Sequence, residues 1–75
     1  MFGIGDIITL KKDTFLWQKG TTVKVVELEC NFDDKCDIVV EILYTKGKMQ
    51  GMIGKTVGAM SSMFELKKGK RGLHV

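Results

Sequence analysis

Thr21-Thr22-Val23-Lys24-Val25-Val26-Glu27-Leu28-Glu29 begins as a strand with one apolar face and then breaks its own pattern. From Thr22 to Val25 polar and apolar residues alternate, the period of a half-buried β-strand. Val26 and Leu28 then take positions that the alternation reserves for polar side chains. A one-residue change of phase is what a β-bulge produces, and small barrels use bulges to bend a strand from one sheet into the other. Burial of both strand faces at this point is the alternative reading.

Working outward, four more short runs fill most of the chain: Gly5 to Leu10, Cys36 to Tyr44, Met49 to Val57 and Met63 to Lys67. In the run from Cys36, the period of two places Ile38, Val40, Ile42 and Tyr44 on one face and Val39, Glu41 and Leu43 on the other. Thr45-Lys46-Gly47-Lys48 reads as a turn in which Gly47 is free to take a positive φ. Gly51 and Gly54 weaken the fourth run and point to a bend or a close backbone approach. Gly58-Ala59-Met60-Ser61-Ser62 reads as a short 3₁₀ turn before the last strand. The expected fold is therefore all-β: a small, closed or nearly closed five-stranded barrel over residues 1–67. From Lys68 to Val75 no periodicity remains, so residues 68–75 are expected to form a frayed basic tail.

With 75 residues, the chain has room for one domain and one modest core. No apolar run approaches the roughly 18 residues of a membrane span, and the first residues lack the basic and apolar regions of a secretory signal. The expectation is a cytoplasmic protein with no membrane association. Cys30 and Cys36 flank the segment 31–35, where a disulfide is geometrically conceivable, but two cysteines without an export signal are expected as free thiols.

The net charge of +3 is unevenly spread. Residues 27–41 sum to −5, residues 42–64 to +3, and residues 67–75 to +4. The domain thus has an acidic hairpin, a basic hairpin and a basic end.

Three stretches resemble a known family. Gly5-Asp6-Ile7-Ile8-Thr9-Leu10-Lys11-Lys12-Asp13 resembles the first strand of SH3-like small barrels, and Trp17-Gln18-Lys19-Gly20-Thr21-Thr22-Val23-Lys24-Val25-Val26 resembles the return arm of their long first loop. Gly58-Ala59-Met60-Ser61-Ser62-Met63-Phe64-Glu65-Leu66 is similar to their closing 3₁₀ turn and strand. Together these cover roughly residues 3–67, and the chain looks most like the short SH3-like proteins of tailed-phage and bacterial genomes. The resemblance implies a barrel whose first long loop and neighbouring loops meet partners. Recognition of proline-rich peptides is not carried over, because this chain has one Tyr, no Pro, and its Trp in the first loop.

Phe15-Leu16-Trp17 is the leading candidate site. Three large apolar residues in a row cannot all point inward from an extended loop, and exposed aromatics in loops favour interfaces. Trp17 has two readings, closure of one barrel end or part of that interface. Asp33, Asp34 and Asp37 in the acidic hairpin are expected to steer a basic protein surface. The alternative function is nucleic-acid binding through Lys46, Lys48, Lys55, Lys67, Lys68, Lys70 and Arg71. Met49, Met52, Met60 and Met63 are read first as core fillers.

Catalysis finds little support. The single His is His74, which leaves no Ser–His or Cys–His pairing, and a barrel this small is expected to enclose no substrate cavity. Gly54-Lys55-Thr56 ends like a phosphate-binding loop, but Met49 stands where that loop needs its first glycine. Cys30, Cys36 and His74 match no common zinc spacing, so no metal and no cofactor are expected. The expected protein is a monomer or weak homo-oligomer, phage-encoded, that docks on a host or phage protein and modulates or inhibits it.

Overall fold

The computed structural model describes residues 2–31 and 35–67. Its five strands are β1 (Ile7–Leu10), β2 (Thr22–Glu27), β3 (Ile38–Tyr44), β4 (Thr56–Ala59) and β5 (Phe64–Leu66). Two 3₁₀ helices, Gly47–Met52 and Ser61–Met63, precede β4 and β5 respectively. The strands form one antiparallel sheet in the order β4-β3-β2-β1-β5. β4 and β5 are its two edges and do not pair with each other, so the expected closure into a barrel is not seen. Four residues, Met60 to Met63, link the two edges along the chain.

Register explains why one face became the core. Ile8 stands opposite Val23, which stands opposite Ile42; Val25 stands opposite Val40, which stands opposite Val57. Leu10 faces Phe64 and Ile38 faces Ala59. These residues share one side of the sheet because side chains alternate with a period of two. Ile8, Val23, Val25, Val40 and Ile42 are each exposed by 2% or less.

The expected bulge is present. Val25 pairs with Val40 but Glu27 pairs with Val39, so Val26 is the extra residue of β2. A second register shift lies between Thr22 and Val23, opposite Tyr44 and Ile42. It takes Tyr44 off the alternation predicted for β3, and Tyr44 is half exposed. Val39, predicted to face away from the core, is nevertheless buried.

The fourth run departs from its predicted form. Most of Met49 to Val57 is not strand: the 3₁₀ helix extends to Met52, and β4 starts only at Thr56. Met49, Met52 and Ile53 lie at i, i+3 and i+4, a helical spacing, and Gly54 takes a φ of 92° that ends the turn. Gly58 and Ala59, read as turn, belong to β4, and the second 3₁₀ helix begins at Ser61. Gly47 does take a positive φ, 67°. The tail expected over residues 68–75 lies outside the described residues.

Cys30 and Cys36 are joined in a disulfide, which corrects the expectation of free thiols. The β2 and β3 ends converge here and bring the two Cα atoms to 5.7 Å, inside the range a disulfide spans. Among the described residues no helix is long and apolar enough to cross a membrane.

Candidate functional site

The loop joining β1 to β2, residues 11–21, is tied down at its base and again near its tip. At the base, the Leu10 amide donates to the Thr21 carbonyl and the Gly20 amide to the Leu10 carbonyl. Further out, the Lys19 amide donates to Asp13 Oδ1 at 2.8 Å. At the tip, the Thr14 amide donates to the Trp17 carbonyl, and the Trp17 amide donates back to Thr14 Oγ1 at 2.9 Å. Threonine suits this position because its hydroxyl bonds the backbone locally and stabilises a turn.

That turn sorts the three apolar residues. Trp17 is partly buried and packs against the core, the end-closing reading of this residue. Phe15 is 98% exposed and Leu16 56% exposed. The hydrogen-bonded turn thus presents the Phe15 ring almost whole to solvent.

The β3–β4 connection lies beside this loop. Thr21 Oγ1 and Thr45 Oγ1 share a buried hydrogen bond of 2.9 Å, and Thr21 Oγ1 also lies 2.7 Å from the Gln18 carbonyl. Gln18 sits so close to Gly47 that a Cβ there would stand 3.1 Å from Gln18 Nε2. Lys46 and Lys48 are thereby brought to the end of the sheet that carries Lys11, Lys12 and Lys19. All five are exposed. The nearest acid in sequence, Asp13, is engaged by the loop backbone. The end of the sheet that carries the loop thus bears five exposed lysines from two separate sequence segments. Thr21 and Thr45 are 24 residues apart, and only the register of β2 and β3 joins them.

The remaining predicted residues fall elsewhere. Lys67 donates its amide to the Ile7 carbonyl, at the opposite end of β1 from the loop. The basic set is therefore divided: Lys46 and Lys48 lie at one end, Lys67 at the other, and Lys55, also exposed, lies just before β4. Lys68, Lys70 and Arg71 are outside the described residues, as are Asp33 and Asp34.

Asp37 has a structural partner. Its Oδ1 accepts from the Ser61 amide and its Oδ2 from the Ser61 hydroxyl, each at 2.7 Å. This carboxylate ties the start of β3 to the second 3₁₀ helix. The Ser61 hydroxyl, and then the Ser61 amide, hold its pKa below the usual carboxylate value. The charged form is thus favoured in the folded state, and the stability it adds is present above the unfolded value and lost as pH falls through the folded one. Asp37→Asn is expected to flatten the acid limb of a plot of Tm against pH below about pH 4. Asp37→Ala at neutral pH should lower Tm by about 4–8 °C, the worth of one cap-type contact. Thermal melts from pH 2 to 7 check both, and an unchanged acid limb in the Asn variant would remove the latch from the account.

A cavity of about 240 Å³ opens on the core side of the sheet, floored by Val23, Val40 and Ile42 and walled by Trp17 and Met63. Residues of both edge strands line it, Val57 and Ala59 from β4 and Phe64 from β5. Met60 and Met63 line this cavity, whereas Met52 packs on the core.

Comparison with protein-family models, with curated proteins and with solved structures found no match to this chain.

Proposed function

We propose that this protein is a non-catalytic binding module on an SH3-like barrel scaffold that docks on a host or phage protein and modulates it. The five strands, the long first loop and the 3₁₀ turn leading into β5 support the scaffold reading. The observation that carries the docking reading is Phe15, 98% exposed at the tip of a hydrogen-bonded loop. Phe15 and Leu16 are the anchors, and Lys11, Lys12, Lys19, Lys46 and Lys48 favour a partner whose surface is acidic around an apolar recess.

A single test addresses the anchors. The double variant Phe15→Ala/Leu16→Ala should melt close to the parent, because exposed positions rarely change stability by more than about 0.5 kcal/mol. Affinity capture from nuclease-treated bacterial lysate should recover a dominant protein with the parent and at least about tenfold less with the variant. Equal recovery would end the anchor assignment.

The same lysines favour a second reading, single-stranded nucleic acid, with Phe15 and the half-exposed Tyr44 as stacking rings. Its signature is binding of a dT oligonucleotide that weakens steeply with salt and is lost in Lys46→Glu/Lys48→Glu.

A further inference from the structure

The two edges of the sheet differ in what they offer a further strand. On β4, the Lys55 carbonyl accepts from the Ile42 amide and the Ala59 carbonyl from the Asp37 amide. Backbone groups alternate sides along a strand, so Lys55, Val57 and Ala59 bond toward β3, while Thr56 and Gly58 aim their N–H and C=O outward. Among the described residues none bonds those outward groups, and β4 has a strand on one side only. Edges are usually blunted by proline, charge or a bulge. Residues 55–59 hold no Pro and one charge, Lys55, and the β3–β4 register is unbroken from Ile38 to Glu41. On β5, the Met63 carbonyl accepts from the Lys11 amide and the Lys67 amide donates to the Ile7 carbonyl, so Phe64 and Leu66 bond outward. Their side chains lie on the core face, opposite Leu10 and Ile8. Those of the outward residues of β4 lie on the solvent face, because Val57 between them stands opposite Val40 on the core face.

These directions decide which antiparallel pairings between copies are allowed, since residues directly opposite place their side chains on the same face. β4 of one copy against β5 of another would set Thr56 and Gly58 against Leu66 and Phe64. The core face of one sheet would then run into the solvent face of the other. β5 against β5 keeps the faces matched but sets Glu65 opposite Glu65, a destabilising like-charge pair. β4 against β4 has neither fault. We propose that the protein self-associates as a two-fold dimer through β4, with Thr56 opposite Gly58 and Val57 opposite Val57. The outward groups of Thr56 and Gly58 then close four backbone hydrogen bonds. Val57, half-buried in the single chain, meets its copy and carries the Val25–Val40–Val57 row across the interface. Lys55 falls opposite Ala59, and the two Lys55 backbones stand four residues apart along the strands, about 14 Å. That exceeds the screening length of about 8 Å at physiological salt. The contact uses the same patch on both chains, so it closes at two. Its shortness places it in the weak, transient class.

Sedimentation equilibrium of the full chain across roughly 10 μM to 1 mM should show mass rising from one chain toward two. Hydrogen exchange at the Thr56 and Gly58 amides should slow over the same range as they become bonded. Thr56→Pro removes one outward donor per copy, hence two of the four bonds, and leaves the β3 ladder intact. It should raise the dissociation constant at least about tenfold. Thr56→Lys and Thr56→Glu keep the test usable if the proline variant fails to fold, because Thr56 is exposed. The two-fold sets the two Thr56 positions about 7–8 Å apart. Each charged variant alone should therefore dimerise more weakly than the parent, and an equimolar mixture should recover a heterodimer that weakens with salt. A mass of one chain throughout would overturn the proposal and leave the edge to an extended segment of another protein. So would growth past two chains, a dimer unchanged in folded Thr56→Pro, or no recovery on mixing the charged variants. Phe15→Ala/Leu16→Ala should dimerise as the parent does, so this contact and the loop tip succeed or fail separately.

Discussion

Ile42→Ala is expected to remove most of the protein's stability. Ile42 lies on β3, paired to Val23, and is 2% exposed. Isoleucine-to-alanine changes in cores cost about 2–5 kcal/mol, more where the site cannot collapse. Here the lost methyl groups border the cavity, so no packed neighbour on that side can move in to replace them. A cost of about 3–4 kcal/mol is expected, from a total of about 4–11 kcal/mol for a chain of this length. The Tm should fall by more than about 12 °C. Leu43→Ala, the next residue on the same strand and 37% exposed, should cost less than about 1 kcal/mol. Urea and thermal denaturation of the pair give the comparison directly. Equal losses in the two variants would contradict the assigned faces of β3.

Removing the disulfide should produce the other large change. The bridge closes a loop of six residues' separation, and the chain-entropy relation gives about 2.3 kcal/mol for a loop of that size. Cys30→Ser/Cys36→Ser, or reduction of the parent, should therefore lower Tm by about 10–15 °C. The double variant should respond to reductant not at all. Thiol titration of the native, unreduced protein supplies an independent check. Two reactive thiols per chain before reduction would show that the bridge does not form in the native protein.

The bend in β2 was legible because a phase shift is a local property of Val25-Val26-Glu27-Leu28. The loop tip was legible too, since Phe15, Leu16 and Trp17 cannot all face one core. What the chain hides is whatever depends on two distant segments meeting. The lysines of the first loop and of the β3–β4 connection read as unrelated charges until Thr21 and Thr45 are hydrogen-bonded. Asp37 reads as a surface acid until Ser61 is found on it. The fourth run misled for another reason: Met49, Met52 and Ile53 carry a helical spacing inside a run bounded by strands, and β-context favoured the wrong period. The cysteines misled because the expectation weighed the compartment over geometry, while the converging ends of β2 and β3 set the distance.

The turn at the loop tip closes on its own backbone, through Thr14 and Trp17, and asks nothing of Phe15 or Leu16. Positions 15 and 16 can therefore accept new side chains one at a time without approaching the stability threshold that removes most core variants. In evolutionary terms the tip is a two-residue cassette on a constant frame. A library randomised at these two positions should fold in nearly every member while the chemistry displayed at the tip changes.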